Sequence, residues 1–186
     1  GATVTVEKTA TPYTGSVAVG NNADAVGAIN VTNTGSTLSV ADTLYVNASG
    51  TGTVTVGDGG AIVVGNQLSF GDGSALSGKS GTFNLNKGGT LAVGGNDGIV
   101  SNVGQGSYTM NLAGGTLAVT NADLTTFVDM TTAEDTTSII NTGSLNALLS
   151  GSIKGTGNLN KTGTGTLTLT GDNSYGDTKI TEGIIN

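Results

Sequence analysis

The sequence predicts an all-β chain folded as a single parallel β-solenoid with little or no helix, and three observations predict it. Apolar residues alternate with Thr through Thr166, Leu167, Thr168, Leu169 and Thr170, a period-two pattern that buries one set of side chains and leaves the other in solvent. A Gly-polar-apolar-polar-apolar unit recurs, its first apolar residue at Leu38, Ile62, Leu91, Leu117, Leu145 and Leu167. The mean interval, about 26 residues, is too long for a hairpin repeat but fits three strands of about five residues plus corners, which gives about seven turns for the chain. Finally, the 186 residues contain 33 Gly, one Pro and only 10% charged residues. Thr, Asn and Gly are poor helix formers, so the polar but nearly uncharged surface suits stacked strands. The 35% of hydrophobic residues, placed at alternating positions, can be buried together and offset the entropy of ordering a Gly-rich chain.

In chain order, residues 1–22 are the least repetitive and are read as an N-terminal cap or irregular first turn. They hold a strand over Thr3 to Val6, the charged pair Glu7 and Lys8, and Pro12, which belongs at an edge or corner because it cannot donate to a ladder. Residues 23–186 are read as the solenoid. Its early strands are predicted at Ala28 to Thr32, Thr37 to Val40, Thr43 to Asn47, Gly52 to Val56 and Ala61 to Val64. Glycine disappears between Asn121 and Thr137, where Leu124, Phe127, Val128 and Met130 fit either a loop with a helical turn or a strand over Thr126 to Met130. Ser138 to Asn141 and Leu145 to Leu149 return to the ladder. The predicted interior is Leu38, Val40, Val54, Val56, Ile62, Val64, Leu91, Val93, Leu117, Val119, Leu167 and Leu169.

Two internal repeats bear on register. GGTLAV runs from Gly88 to Val93 and again from Gly114 to Val119, whereas the Asn-Leu pairs that precede it, Asn84-Leu85 and Asn111-Leu112, lie one position further apart than the two copies do. A corner therefore loses one residue between equivalent strands. Asn-Leu-Asn-Lys occurs at Asn84 to Lys87 and again at Asn158 to Lys161, an interval close to three of the expected turns.

The C-terminal stretch carries a family resemblance. The series Gly155, Gly157, Leu159, Lys161, Gly163, Gly165, Leu167, Leu169, Gly171, Asn173, Tyr175, Thr178, Ile180 and Gly183 resembles the passenger-associated strand repeat of bacterial autotransporters. Its usual pattern places one residue between the Tyr and the next Gly, whereas Gly176 follows Tyr175 directly here. The resemblance implies a right-handed parallel β-helix, with Asn173 and Tyr175 packing and bonding the backbone at a corner. It also implies a location outside a Gram-negative-type bacterium and continuation into further turns and a membrane barrel, so residues 155–185 are read as part of a longer chain. Gly1 is not preceded by Met or a leader, which fits a processed chain or a segment.

Composition narrows function. The net charge is -7, with six Lys plus Arg spread singly, so no basic patch exists to displace counterions from nucleic acid or anionic lipid. No stretch approaches the roughly 20 apolar residues of a membrane-spanning helix. There is no Cys and no His, which removes thiol chemistry and the usual ligands of transition metals.

Two of Asp58, Asp72 and Asp97 are the candidate acid–base pair of a polysaccharide lyase or glycosidase, because stacked turns can bring two carboxyl groups within about 5 to 9.5 Å. Each also adjoins Gly, the pattern of a turn Asp bonding its own backbone. Gly95, Asn96, Asp97 and Gly98 only faintly resemble a calcium repeat, and Gly73 with Gly78, Lys79 and Ser80, which fall at phosphate-loop spacing, are read as a coincidental match. Lys87 and Lys161, as potential partners of a Ser nucleophile, are read as structural corner residues. Tyr13, Tyr45, Tyr108 and Tyr175 are scattered in sequence. Thr53 with Thr55, and Thr164 with Thr166, Thr168 and Thr170, could form hydroxyl arrays of an ice-binding surface, although Thr favours exposed strand positions in any sheet. No catalytic, metal or cofactor residue is therefore assigned. The reading is a noncatalytic passenger segment serving as stalk or adhesive surface, toward a host glycan, a host surface protein or a second copy of itself.

Overall fold

The computed structural model describes residues 2–6, 15–74 and 77–186. Pro12, Glu7, Lys8 and Tyr13 lie outside the described residues. Within them the chain forms twenty strands and no helix.

The strands stack on three faces. The first face holds β1 (Thr3–Val6), β4 (Thr37–Val40), β7 (Ala61–Val64), the starts of β10 (Thr90–Ser101) and β12 (Thr116–Thr126), then β14 (Thr137–Asn141), β17 (Asn158–Thr162) and β19 (Thr178–Ile180). The second holds β2 (Val17–Ala18), β5 (Thr43–Tyr45), β8 (Gln67–Phe70), the ends of β10 and β12, then β15 (Ala147–Leu149), β18 (Thr166–Leu169) and β20 (Ile184–Ile185). The third is a six-stranded sheet of β3 (Val26–Val31), β6 (Thr51–Val56), β9 (Ser80–Asn86), β11 (Ser107–Ala113), β13 (Met130–Thr132) and β16 (Ile153–Gly155). Every pairing between these strands is parallel, each strand bonding the equivalent strand one turn away. The fold is a parallel β-solenoid.

Six turns are complete, against the seven predicted, because the third face begins at Val26 and ends at Gly155 while the strands beyond occupy only the other two faces. Predicted strands at Thr3–Val6, Thr37–Val40 and Ala61–Val64 match in full. Between Thr126 and Met130 the chain is neither helix nor strand: β12 ends at Thr126 and a corner leads into β13 at Met130. Phe127 stays exposed there while Val128 is buried.

The interior is built from columns of like side chains. On the first face Leu38, Ile62, Leu91, Leu117, Ile140, Lys161 and Ile180 stack one above another. The interval is widest from Ile62 to Leu91 and narrowest from Lys161 to Ile180. Turns thus shorten toward the C-terminus, and a fixed repeat length drifts off its face. Leu145 does not continue this column. It precedes β15, and Leu167 belongs to the second face, between Ala147 and Ile185. The same drift misassigns Asn-Leu-Asn-Lys, whose first copy lies at the end of β9 on the third face and whose second lies in β17 on the first. GGTLAV holds: Thr90 to Val93 pair with Thr116 to Val119, and Asn84-Leu85 pair with Asn111-Leu112. The residue lost is in the corner, where Lys87-Gly88-Gly89 is answered by Gly114-Gly115. Eleven of the twelve predicted interior residues are buried, and Leu169 is half-buried against the same core.

Corners at the first-to-second edge stack too. Gly143, Gly163 and Gly183, one in each of three successive turns, have φ of 56°, 81° and 79°, a left-handed conformation that costs a residue with a Cβ about 1–2 kcal/mol.

Candidate functional site

The carboxylates do not converge. Asp58 sits in the corner between the third and first faces, Asp97 between the first and second, and Asp72 between the second and third. Three edges of one rod cannot present a catalytic pair to one bond. Each is instead a turn residue: Asp58 and Asp97 have φ of 52° and 53°, and Asp72 Oδ1 accepts the N–H of Ser74 at 2.9 Å. The Asp97 N–H donates to Thr125 Oγ1 at 2.7 Å, and Gln67 donates to its carbonyl at 2.9 Å. Among the described residues no group of three or more acidic side chains is placed to hold a metal ion.

The two lysines part company. Lys87 is an exposed corner residue, whereas Lys161 is 1% exposed and occupies an interior position between Ile140 and Ile180. Its Nζ donates to the carbonyls of Thr162 at 2.9 Å, Gly163 at 2.7 Å and Glu182 at 3.2 Å, which uses all three ammonium protons. Burial pulls its pKa below the ordinary lysine value, and the nearby Glu182 carboxylate opposes that shift. The alternation Leu159-x-Lys161 was the available signal, since it puts the lysine in phase with a buried leucine. Asp123 behaves differently: the Asn146 N–H at 2.8 Å and its side-chain amide at 3.0 Å favour the carboxylate and lower its pKa.

Asn173 bonds the backbone as the resemblance implies, whereas Tyr175 packs on the core and its hydroxyl meets a side chain rather than the backbone. Asn173 Oδ1 accepts the Ile153 N–H at 2.8 Å, and Tyr175 packs half-buried on the core while its hydroxyl accepts from Thr178 Oγ1 at 3.0 Å.

The third face carries stacked uncharged polar side chains in its middle turns. Thr53, Thr82 and Thr109 stack in register, as do Thr55, Asn84 and Asn111. Asn111 donates to Asn84 Oδ1 at 2.8 Å and Asn84 to Thr55 Oγ1 at 3.3 Å. The other threonine run builds no array, because Thr168 stacks on the partly exposed Leu148. At one end of the third face lies a groove of about 390 Å³ lined by Tyr108, Thr109, Asp129 and Thr131. Sequence reasoning missed it, because Tyr108 stands in the same column as Gly52 and Gly81 and alternation does not show which turn steps back.

A parallel β-solenoid with polar, sparsely charged faces defines the class of repeat protein. Residues 159–186 match the passenger-associated-transport-repeat family, the repeat of autotransporter passenger domains, and they fold as the closing strands of that solenoid. No curated protein and no solved structure matches the chain.

Proposed function

We propose that this chain is a noncatalytic segment of a secreted bacterial surface protein, held outside the cell as a rigid stalk whose faces also serve as an adhesive surface. The observation that carries this reading is the passenger-associated repeat built into the last turns of a continuous solenoid. The separation of Asp58, Asp72 and Asp97 onto three edges removes the motive for a glycan-cleaving reading. Stacked Thr and Asn offer many weak hydrogen bonds in register, and such contacts sum when many copies are displayed on one cell. The partners that suit this surface are a host glycan, a host surface protein or a second copy of the chain.

The test is to display the chain on a non-adherent bacterium behind an outer-membrane barrel. Surface protease should remove it from intact cells, and the cells should gain either attachment to host-cell layers or mutual aggregation. Turnover of a polysaccharide panel that disappears in Asp72→Asn or Asp97→Asn would overturn the noncatalytic reading.

A further inference from the structure

The surface of the third face steps back between two successive turns. The corner before β11 runs over residues 102–106, whereas the equivalent corner before β13 is only residues 127–129. The groove of about 390 Å³ lies where these two corners meet the face, with Val103, Tyr108, Thr109, Met110, Asp129 and Thr131 among its lining. In the turns before, the position of Tyr108 is held by Gly52 and Gly81, where a Cβ would strike the Val46 carbonyl or the Asn47 side chain. Only at the step is there room for a ring.

We infer that this groove is a subsite for one or two units of a neutral glycan, an inference that rests on the adhesive reading and names its ligand class. The chemistry of the lining points there. The partly exposed Tyr108 ring and Val103 offer an apolar edge for the C–H face of a sugar ring, with Met110 buried behind them, a surface that is apolar in body and polar at the tip. Thr109 and Thr131 hydroxyls both donate and accept, and Asp129 accepts, which matches the alternating hydroxyls of a sugar. Among the described residues no cation lines the groove, and the chain carries a net charge of -7, so uronic, sialylated or sulfated units are repelled. The volume lies at the lower end of the roughly 300–1,000 Å³ of ligand sites, too small for a folded protein segment. The groups are also fixed before a ligand arrives. Phe70 holds the Tyr108 ring at a centroid distance of 5.1 Å. The Tyr108 hydroxyl accepts the Asp129 N–H at 3.1 Å, and Asp129 Oδ1 accepts the Ser152 N–H at 2.7 Å. Preorganisation of this kind reduces the ordering cost of binding.

The test is calorimetric titration of the whole chain with neutral oligosaccharides of glucose, galactose, mannose and N-acetylhexosamines, beside uronate-containing and sialylated counterparts. The expected result is binding of a neutral member that falls roughly tenfold in Thr109→Val/Thr131→Val, for the loss of two hydrogen bonds. Thr53→Val/Thr82→Val, on the same face away from the groove, should stay within about twofold of the parent. Asp129→Asn, which keeps an acceptor for Ser152, should preserve neutral binding and admit the uronate-containing members. Absence of binding to every neutral member, equal binding by the Thr109/Thr131 variant, or unchanged rejection of uronates by Asp129→Asn would each overturn the assignment. Cells that attach without any glycan dependence would refute the groove and leave the adhesive reading standing. A groove that binds sugar in a chain that never promotes attachment or aggregation would do the reverse.

Discussion

Two residues in the last turns show how position decides what a side chain does. Lys161 lies in a column of aliphatic residues, yet its ammonium is satisfied by three carbonyls of two successive corners. Its pKa in the folded chain lies below the 10.5 of an ordinary lysine. Across the window between the lowered and ordinary values, the unfolded chain holds a proton that the folded chain has released, so stability rises with pH there. Lys161→Met should abolish this part of the slope, read as the urea midpoint against pH from neutral to about 10.5. An unchanged slope would assign the dependence elsewhere. Leu167, 1% exposed between Ala147 and Ile185, should lose about 2 to 5 kcal/mol on truncation to Ala. Thr168→Ala, on the outward side of the same strand, should stay within about 0.5 kcal/mol, and equal losses from the two would contradict the inward assignment.

At the scale of the element, corners rather than strands carry the variation. The strands keep register from turn to turn while the interval between stacked residues shrinks, from Ile62 and Leu91 in the early turns to Lys161 and Ile180 in the last. Stacked glycines make such tight corners compatible with the ladder. Gly143 and Gly163 share the left-handed conformation but differ in surroundings: nothing lies within 4 Å of a Cβ built at Gly143, whereas one at Gly163 would meet the backbone of Gly143 and the Asn141 side chain. Gly143→Ala should therefore cost only the backbone strain, about 1–2 kcal/mol. Gly163→Ala should cost distinctly more, since backbone must shift as well. Thermal midpoints of the two variants check the order, and Gly143→Asn should recover part of its loss because Asn tolerates positive φ.

The whole molecule behaves as a one-dimensional stack in which each turn contacts only its neighbours. Eight strands on the first face, at about 4.8 Å per step, make a rod about 34 Å long. Burial is uneven along it. Thr178 to Ile180 are exposed throughout, as are Ile184 and most of residues 171–186, so native-state hydrogen exchange should find the lowest protection in this last turn and the highest around β9, β10 and β12. Uniform protection would indicate a single cooperative unit. Chelator should leave the thermal midpoint unchanged, because the acidic turns are tied by backbone and amide hydrogen bonds. A calcium-dependent rise would show that they hold an ion.

Sequence alone determined the strand period, the solenoid class, nearly all of the interior and the passenger-associated repeat, because these depend on local alternation and on a dense run of glycines close together in the chain. The direct pairing of Leu91 with Leu117 was equally legible, since GGTLAV repeats within a single turn. What only the tertiary structure decided depends on how turn lengths accumulate. A corner that shortens by even one residue moves every later residue relative to the turns above, so Leu167 and the second Asn-Leu-Asn-Lys fall on faces that a fixed interval does not assign. The same accumulation sends Asp58, Asp72 and Asp97 to three edges, puts the Lys161 ammonium under the carbonyls of the next corner, and opens the step beside Tyr108. Alternation says whether a side chain points in or out; which side chains meet is set by the summed length of the corners between them.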